Sequence, residues 1–188
     1  MTKHLYLILF AAASAFAGPP LICHPDSIGN AKSLPWITNS QKWDGADPNY
    51  DLNRLTDDTL ALLVPSMPLN VRMETIRRAA IYSVKQEALP DHITAQLLAR
   101  AAAAPNDPMA SFDAGYWVEA LRQMAFIRRY LRSDSERSAF RWQGDLGHLD
   151  GKPLIDHAAS LGAKGLQVPL ARVEEYRRED LKRLAATN

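Results

Sequence analysis

The chain has 188 residues, 47% of them hydrophobic, and 22 basic against 21 acidic side chains leave a formal net charge of +1. That balance excludes the strongly basic make-up of a general nucleic-acid binder, and the apolar content excludes a disordered polyelectrolyte. A single domain with a core of its own fits the length.

Residues 1–17 have the three-part layout of a secretory signal peptide. Lys3 gives a positive start, Leu5 to Ala13 form the apolar run, and Ala15-Phe16-Ala17 place small residues ahead of cleavage before Gly18. The run is too short to span a bilayer comfortably, and no later stretch is longer. The mature chain is therefore expected to be exported, periplasmic or secreted, and free of the membrane once cleaved.

From residue 18 to 51 the chain reads as an irregular strap. Pro19, Pro20, Pro25, Pro35 and Pro48, with Gly29 and Gly45, interrupt any long element. Leu34, Trp36, Ile37, Trp43 and Tyr50 are too many apolar residues for a disordered leader, and they predict packing on the domain that follows. The strap holds Cys23, the only cysteine, so no internal disulfide is available in an oxidising compartment. Ile22 replaces the small residue a lipoprotein signal needs, and Cys23-His24 lacks the first cysteine of a c-type haem motif. A soft metal could use Cys23 and His24 together, but burial of the thiol as a small hydrophobe is the expected state.

The region 52–188 reads as one α-helical domain. Thr56 is the expected N-cap of a first helix, with Asp57 and Asp58 favourable at its start and Pro65 beyond its end. A second helix is expected over 70–88, with Met73, Ile76, Ala80, Ile81 and Val84 on one stripe and Arg72, Arg77, Arg78 and Lys85 facing mostly away. A third runs over 91–104, and the longest over 109–132, apolar nearly all round in its first half. Ser133 or Ser135 caps a short helix towards Trp142. Residues 144–153 form a loop, a short helix covers 153–162, and Pro169 sits in the first turn of a last helix reaching Ala186. The arginine pairs Arg77-Arg78, Arg128-Arg129 and Arg177-Arg178 are expected to be solvated, because acids are interspersed. The fold class is all-α: stacked antiparallel helical hairpins preceded by the extended, Pro-rich strap.

One junction is more specific. A helix ends at Pro105, and after Asn106-Asp107-Pro108 comes Phe112-Asp113-Ala114-Gly115-Tyr116. This resembles the junction between tetratricopeptide-type repeats, where a Pro-containing turn precedes a helix carrying a small residue. The resemblance covers residues 91–124, with Val118 where an aromatic would stand, and it implies helical hairpins that bind a protein or peptide.

Motifs for catalysis are sparse. G-x-S-x-G, H-E-x-x-H, the phosphate loop and G-x-G-x-x-G are all absent, which favours a binding module over an enzyme. Two clusters remain. Asp47, Asn49, Asp51 and Asp58 occupy positions 1, 3, 5 and 12 of a calcium-type loop, although Leu52 stands where glycine makes the sharp turn. Turn formation and helix-start charge explain the same residues, so a calcium-binding structural protein is the second alternative and no other cofactor is called for. Asp145, His148 and Asp150, followed by Asp156-His157, could serve a transition metal or an acid–base pair, with His24 or His92 brought in from elsewhere. A metal-dependent or acid–base enzyme built on that loop is the first alternative to a partner-binding module.

The thiol expectation is directly testable. Freshly exported protein should run as a monomer on non-reducing electrophoresis, and Cys23 should react slowly with a thiol probe until the protein is denatured. A dimer band that reductant and Cys23→Ser both abolish would mean that the thiol is paired with another chain.

Overall fold

The computed structural model describes residues 19–37, 44–143 and 146–186. The expected signal peptide, Trp43 and Asp145 lie outside them. The chain is all-α, with eight helices among the described residues, no strand, and one isolated antiparallel bridge between Trp36 and Ala46.

The first helix, α1 (Pro20–Cys23), is a single turn whose proline occupies a position where a missing N–H is harmless. Residues 24–37 and 44–51 are non-helical, and a 3₁₀ turn follows at Leu52–Arg54, capped by the Asp51 carboxylate accepting from the Asn53 amide. Helix α2 (Leu55–Leu62) follows without a break. Thr56 is therefore not the N-cap: it is buried inside α2, and Asp51 caps the combined element instead.

Next come α3 (Leu69–Ser83), α4 (Leu89–Ala103) and α5 (Pro108–Tyr130). Helix α3 stops five residues short of the expected end. The carbonyl of Val84 turns out of the helix and accepts from the backbone amides of Arg141 and Trp142, at 2.8 and 3.0 Å. Helix α5 starts at the Asp107 cap, whose side chain accepts from the Met109 amide at 2.8 Å. The short α6 (Asp134–Ala139) opens on a capping box between Ser133 and Glu136. The last two helices are α7 (Lys152–Ser160) and α8 (Gln167–Ala186).

Helix α5 is the centre of the molecule. Every residue from Ala110 to Leu121 is buried, and α7, α3 and α4 all pack on it. The approach of α7 is unusually close because both surfaces lack a side chain. A Cβ on Gly151 would lie 2.1 Å from the Gly115 carbonyl oxygen, and one on Gly115 would lie 2.6 Å from the Gly151 carbonyl. Gly115, the small residue of the repeat-like junction, thus makes room for the start of α7.

Helix α3 is also covered on all sides, with every side chain from Val71 to Ser83 buried. This corrects the expectation that its arginines face solvent. Arg72 donates to Asp113 on α5 at 2.6 Å, and both side chains are fully buried. Glu74 accepts from Arg77 at 3.1 Å and Arg78 at 2.8 Å. The two arginines in turn donate to backbone carbonyls of the N-terminal segment: Arg77 to Ile22 in α1 at 2.7 Å and Arg78 to Leu34 beyond it at 2.7 Å. The Asp26 amide donates to Glu74, and Tyr82 donates to the Pro35 carbonyl while accepting from the Asp47 amide. Trp36 lies beneath both guanidinium groups, 5.0 and 5.4 Å from its ring centre. A segment with no secondary structure needs outside partners for its backbone, and α3 supplies them from side chains.

Burial pushes the Asp113 carboxyl up to about 6, against the opposing pull of Arg72. The folded carboxyl keeps its proton up to about pH 6, the unfolded one only to 3.8. The folded state therefore binds the extra proton in that window, and stability falls as pH rises through it. Urea denaturation across this pH range should show that slope in the native protein and its loss in Asp113→Asn. Arg72→Leu should cost about 3–5 kcal/mol at neutral pH by leaving the carboxylate unpaired, with part of the loss recovered below pH 6.

Candidate functional site

The residues of the calcium-type loop are engaged locally. Asp47 accepts from the Asn49 amide at 2.9 Å, and Asp51 accepts from the Asn53 amide and side chain at 3.0 Å. Asp58 lies one helix turn into the sequence beyond them, where it accepts from the Tyr50 hydroxyl at 2.8 Å and pairs with Arg54 at 3.2 Å. These contacts are a turn, a cap and an i,i+4 pair. In the second cluster His148 and Asp150 are both exposed. Asp150 accepts from the Lys152 amide and from Arg177, and the Arg177 hydrogen bond holds its carboxyl below the ordinary range. Asp156 pairs with Lys152 at 2.6 Å, and His157 Nε2 lies 3.2 Å from the Pro105 carbonyl. His24 and His92 are exposed. Among the described residues no three His, Cys, Asp or Glu side chains are grouped to hold a metal ion. Cys23 is half-buried, and burial raises its thiol pKa against the lowering effect of Arg77.

The structure brings together a different set. A cleft of about 340 Å³ lies between the second half of α5, the residues Trp142, Gln143, Leu146 and Gly147, and α8. Arg122, Phe126 and Arg129 follow one another at i, i+4 and i+7, so a single stripe of α5 faces it. Arg128 flanks that stripe, and Tyr176 and Asp180 enter one turn apart from α8. Trp142 forms part of the wall, anchored by its indole N–H donating to Asp91 at 3.2 Å. The Phe126 and Tyr176 rings meet edge to face, 5.9 Å between centres, and the Arg183 guanidinium sits 4.6 Å over Phe126. Burial is the main cause raising the Tyr176 hydroxyl pKa, with nearby Asp180 adding to it.

The frame of this cleft is ionic. Glu119 on α5 is fully buried and accepts from the Gly151 amide at 3.0 Å and from Arg177 at 2.7 Å. Arg177 reaches on to Asp150, which ties the start of α7 and the middle of α8 to α5. Arg172 grips Asp26 through two hydrogen bonds at 2.9 and 3.0 Å. Arg122 donates to the Leu149 carbonyl from the cleft floor.

Arg128 and Arg129 differ from the ion-paired arginines above. Arg129 is exposed and Arg128 half-buried, and neither forms an ion pair among the described residues. The sequence signal that could have found the cleft is the run Arg122, Phe126, Arg129 on a helix otherwise apolar, but it needed Tyr176 and Trp142 from distant segments to become concave. Chemically, guanidinium groups beside aromatic faces suit non-covalent recognition of an anionic group that carries an apolar portion. No family model matches the chain, and no curated protein or solved structure matches it.

A second cavity, of about 400 Å³, lies between residues 32–35, Tyr50 and α2. Its Tyr50, Arg54 and Asp58 are bonded to one another, which leaves it less suited to capturing a charged group.

If Arg128 and Arg129 serve a ligand and not the fold, their removal should leave stability alone. Arg128→Gln/Arg129→Gln is expected to keep unfolding free energy within about 0.5 kcal/mol of native, measured by urea denaturation, whereas Glu119→Ala should cost several-fold more by removing the acceptor of the Gly151 amide and one of the two carboxylates that hold Arg177.

Proposed function

We propose that this protein is an exported, non-catalytic helical module that binds a protein or peptide partner, and that a short segment of the partner seats in the arginine–aromatic cleft. The observation that carries this reading is the pair Arg128 and Arg129, which have no ion pair among the described residues and stand beside the Phe126 and Tyr176 rings. Charged side chains committed to the fold are bonded here, as Arg72, Arg77, Arg78, Arg172 and Arg177 are. The cleft's volume is at the low end of ligand pockets, about 300–1,000 Å³, so it suits a few residues of a partner. Export rests on residues 1–17. None of the described helices is long and apolar enough to cross a membrane.

Site-specific photo-crosslinking in the native host tests the reading. A crosslinker at exposed Gln143, on the cleft wall, should yield a discrete adduct that weakens in Arg128→Gln/Arg129→Gln, while one at exposed Gln96 on α4 should not. Equal adducts at both positions, or none at Gln143, would sink it.

A further inference from the structure

We infer that the cleft recognises an acidic peptide segment that combines carboxylates with an aromatic side chain. The inference rests on the proposed partner-binding role and goes further in naming the ligand's chemistry. Its basis is how the cations are arranged. Arg128 and Arg129 are consecutive on α5, and consecutive helical residues project about 100° apart. Both nevertheless line the one cleft, so an extended chain lying in it can meet each with a carboxylate.

The same cleft presents an aromatic surface beside these cations and Arg122. Phe126 and Tyr176 meet edge to face, and Trp142 closes the wall. Such a surface takes an aromatic or large apolar side chain, whose rings favour offset or edge contacts with the existing pair. Asp180 lines the same cleft from α8, but Arg122, Arg128 and Arg129 outnumber it among the lining residues, a modest positive excess that suits a segment with a few carboxylates better than a dense polyanion. Arg122 is held by Leu149 and Glu119 at the floor, so its remaining donors are pre-oriented at little entropic cost when a carboxylate reaches them.

The test uses the mature full-length protein and a fluorescein-labelled peptide of alternating glutamate and phenylalanine, read by fluorescence anisotropy. Binding should weaken as sodium chloride is raised, because the exposed charges are screened. Affinity should fall about tenfold for each guanidinium removed in Arg128→Gln and Arg129→Gln. Replacing the probe's glutamates by glutamine, or its phenylalanines by serine, should each weaken binding at least tenfold. Equal binding of the glutamine probe, or an unchanged affinity in the double variant, would overturn the inference. So would displacement of the probe by inorganic phosphate at matching concentration, which would reveal a simple anion site. The parent reading fails separately: a Gln143 adduct that depends on Arg128 and Arg129, with no binding of the probe, keeps the partner and discards this ligand class.

Discussion

The architecture depends on side chains of α3 satisfying a backbone that has no ladder of its own. Residues 24–37 and 44–51 pack on α3 almost without secondary structure, and each of their inward-facing polar groups must find a partner or lose the hydrogen bonds it had in water. Glu74, Arg77, Arg78 and Tyr82 meet that need within one helix, reaching the backbone at Ile22, Asp26, Leu34, Pro35 and Asp47. Because Glu74 binds both arginines, no cation in this layer is left without a counter-charge. Removing any one partner strands the others in a dry environment, which is why such networks cost much more to break than to replace whole.

The same logic reaches the cleft through a second buried carboxylate. Glu119 is to α5 what Glu74 is to α3: an acid at full burial that collects donors from elements arriving later in the chain. It takes the amide of Gly151 and the guanidinium of Arg177, while the Gly115–Gly151 contact brings α7 close enough for the amide bond to form. Arg172 and Asp26 then join α8 to the N-terminal segment. Tyr176 lies between those two anchors, so its place opposite Phe126 follows from fixed points on either side. The cleft is thus built on a rigid frame, and Arg128 and Arg129 line it without an ion pair among the described residues.

Much of the helical plan was legible in the sequence. The proline breaks after residues 64 and 104, the Ser133 cap and the apolar character of the first half of α5 are local signals with local causes. The sequence misled wherever a local motif had a distant competitor. Thr56 looks like an N-cap, but Asp51 starts the helical run earlier. The pattern through residue 88 is helical, but the amides of Arg141 and Trp142 draw the Val84 carbonyl away at the end of α3. Asp150 sits in a metal-like cluster by spacing, yet Arg177, far along the chain, occupies it. The cleft itself combines residues from α5, α8 and the segment between α6 and α7, and no periodicity links those positions.

By itself, the sequence determined the class of fold, the order of the helices and most of their ends, because propensity, capping and hydrophobic period act over a few residues. Only the tertiary structure decided which charges are buried. Arg77-Arg78, Arg128-Arg129 and Arg177-Arg178 read alike in sequence, each a basic pair on a helix with acids nearby. In the fold the first pair clamps a backbone, Arg177 joins three helices, and Arg128 and Arg129 remain at the cleft rim. The physical reason is that a guanidinium is tolerated inside only where carboxylates and carbonyls from elsewhere in the chain surround it, and those partners come from as far as Ile22 and Glu119. Chain distance hides such meetings from any local pattern.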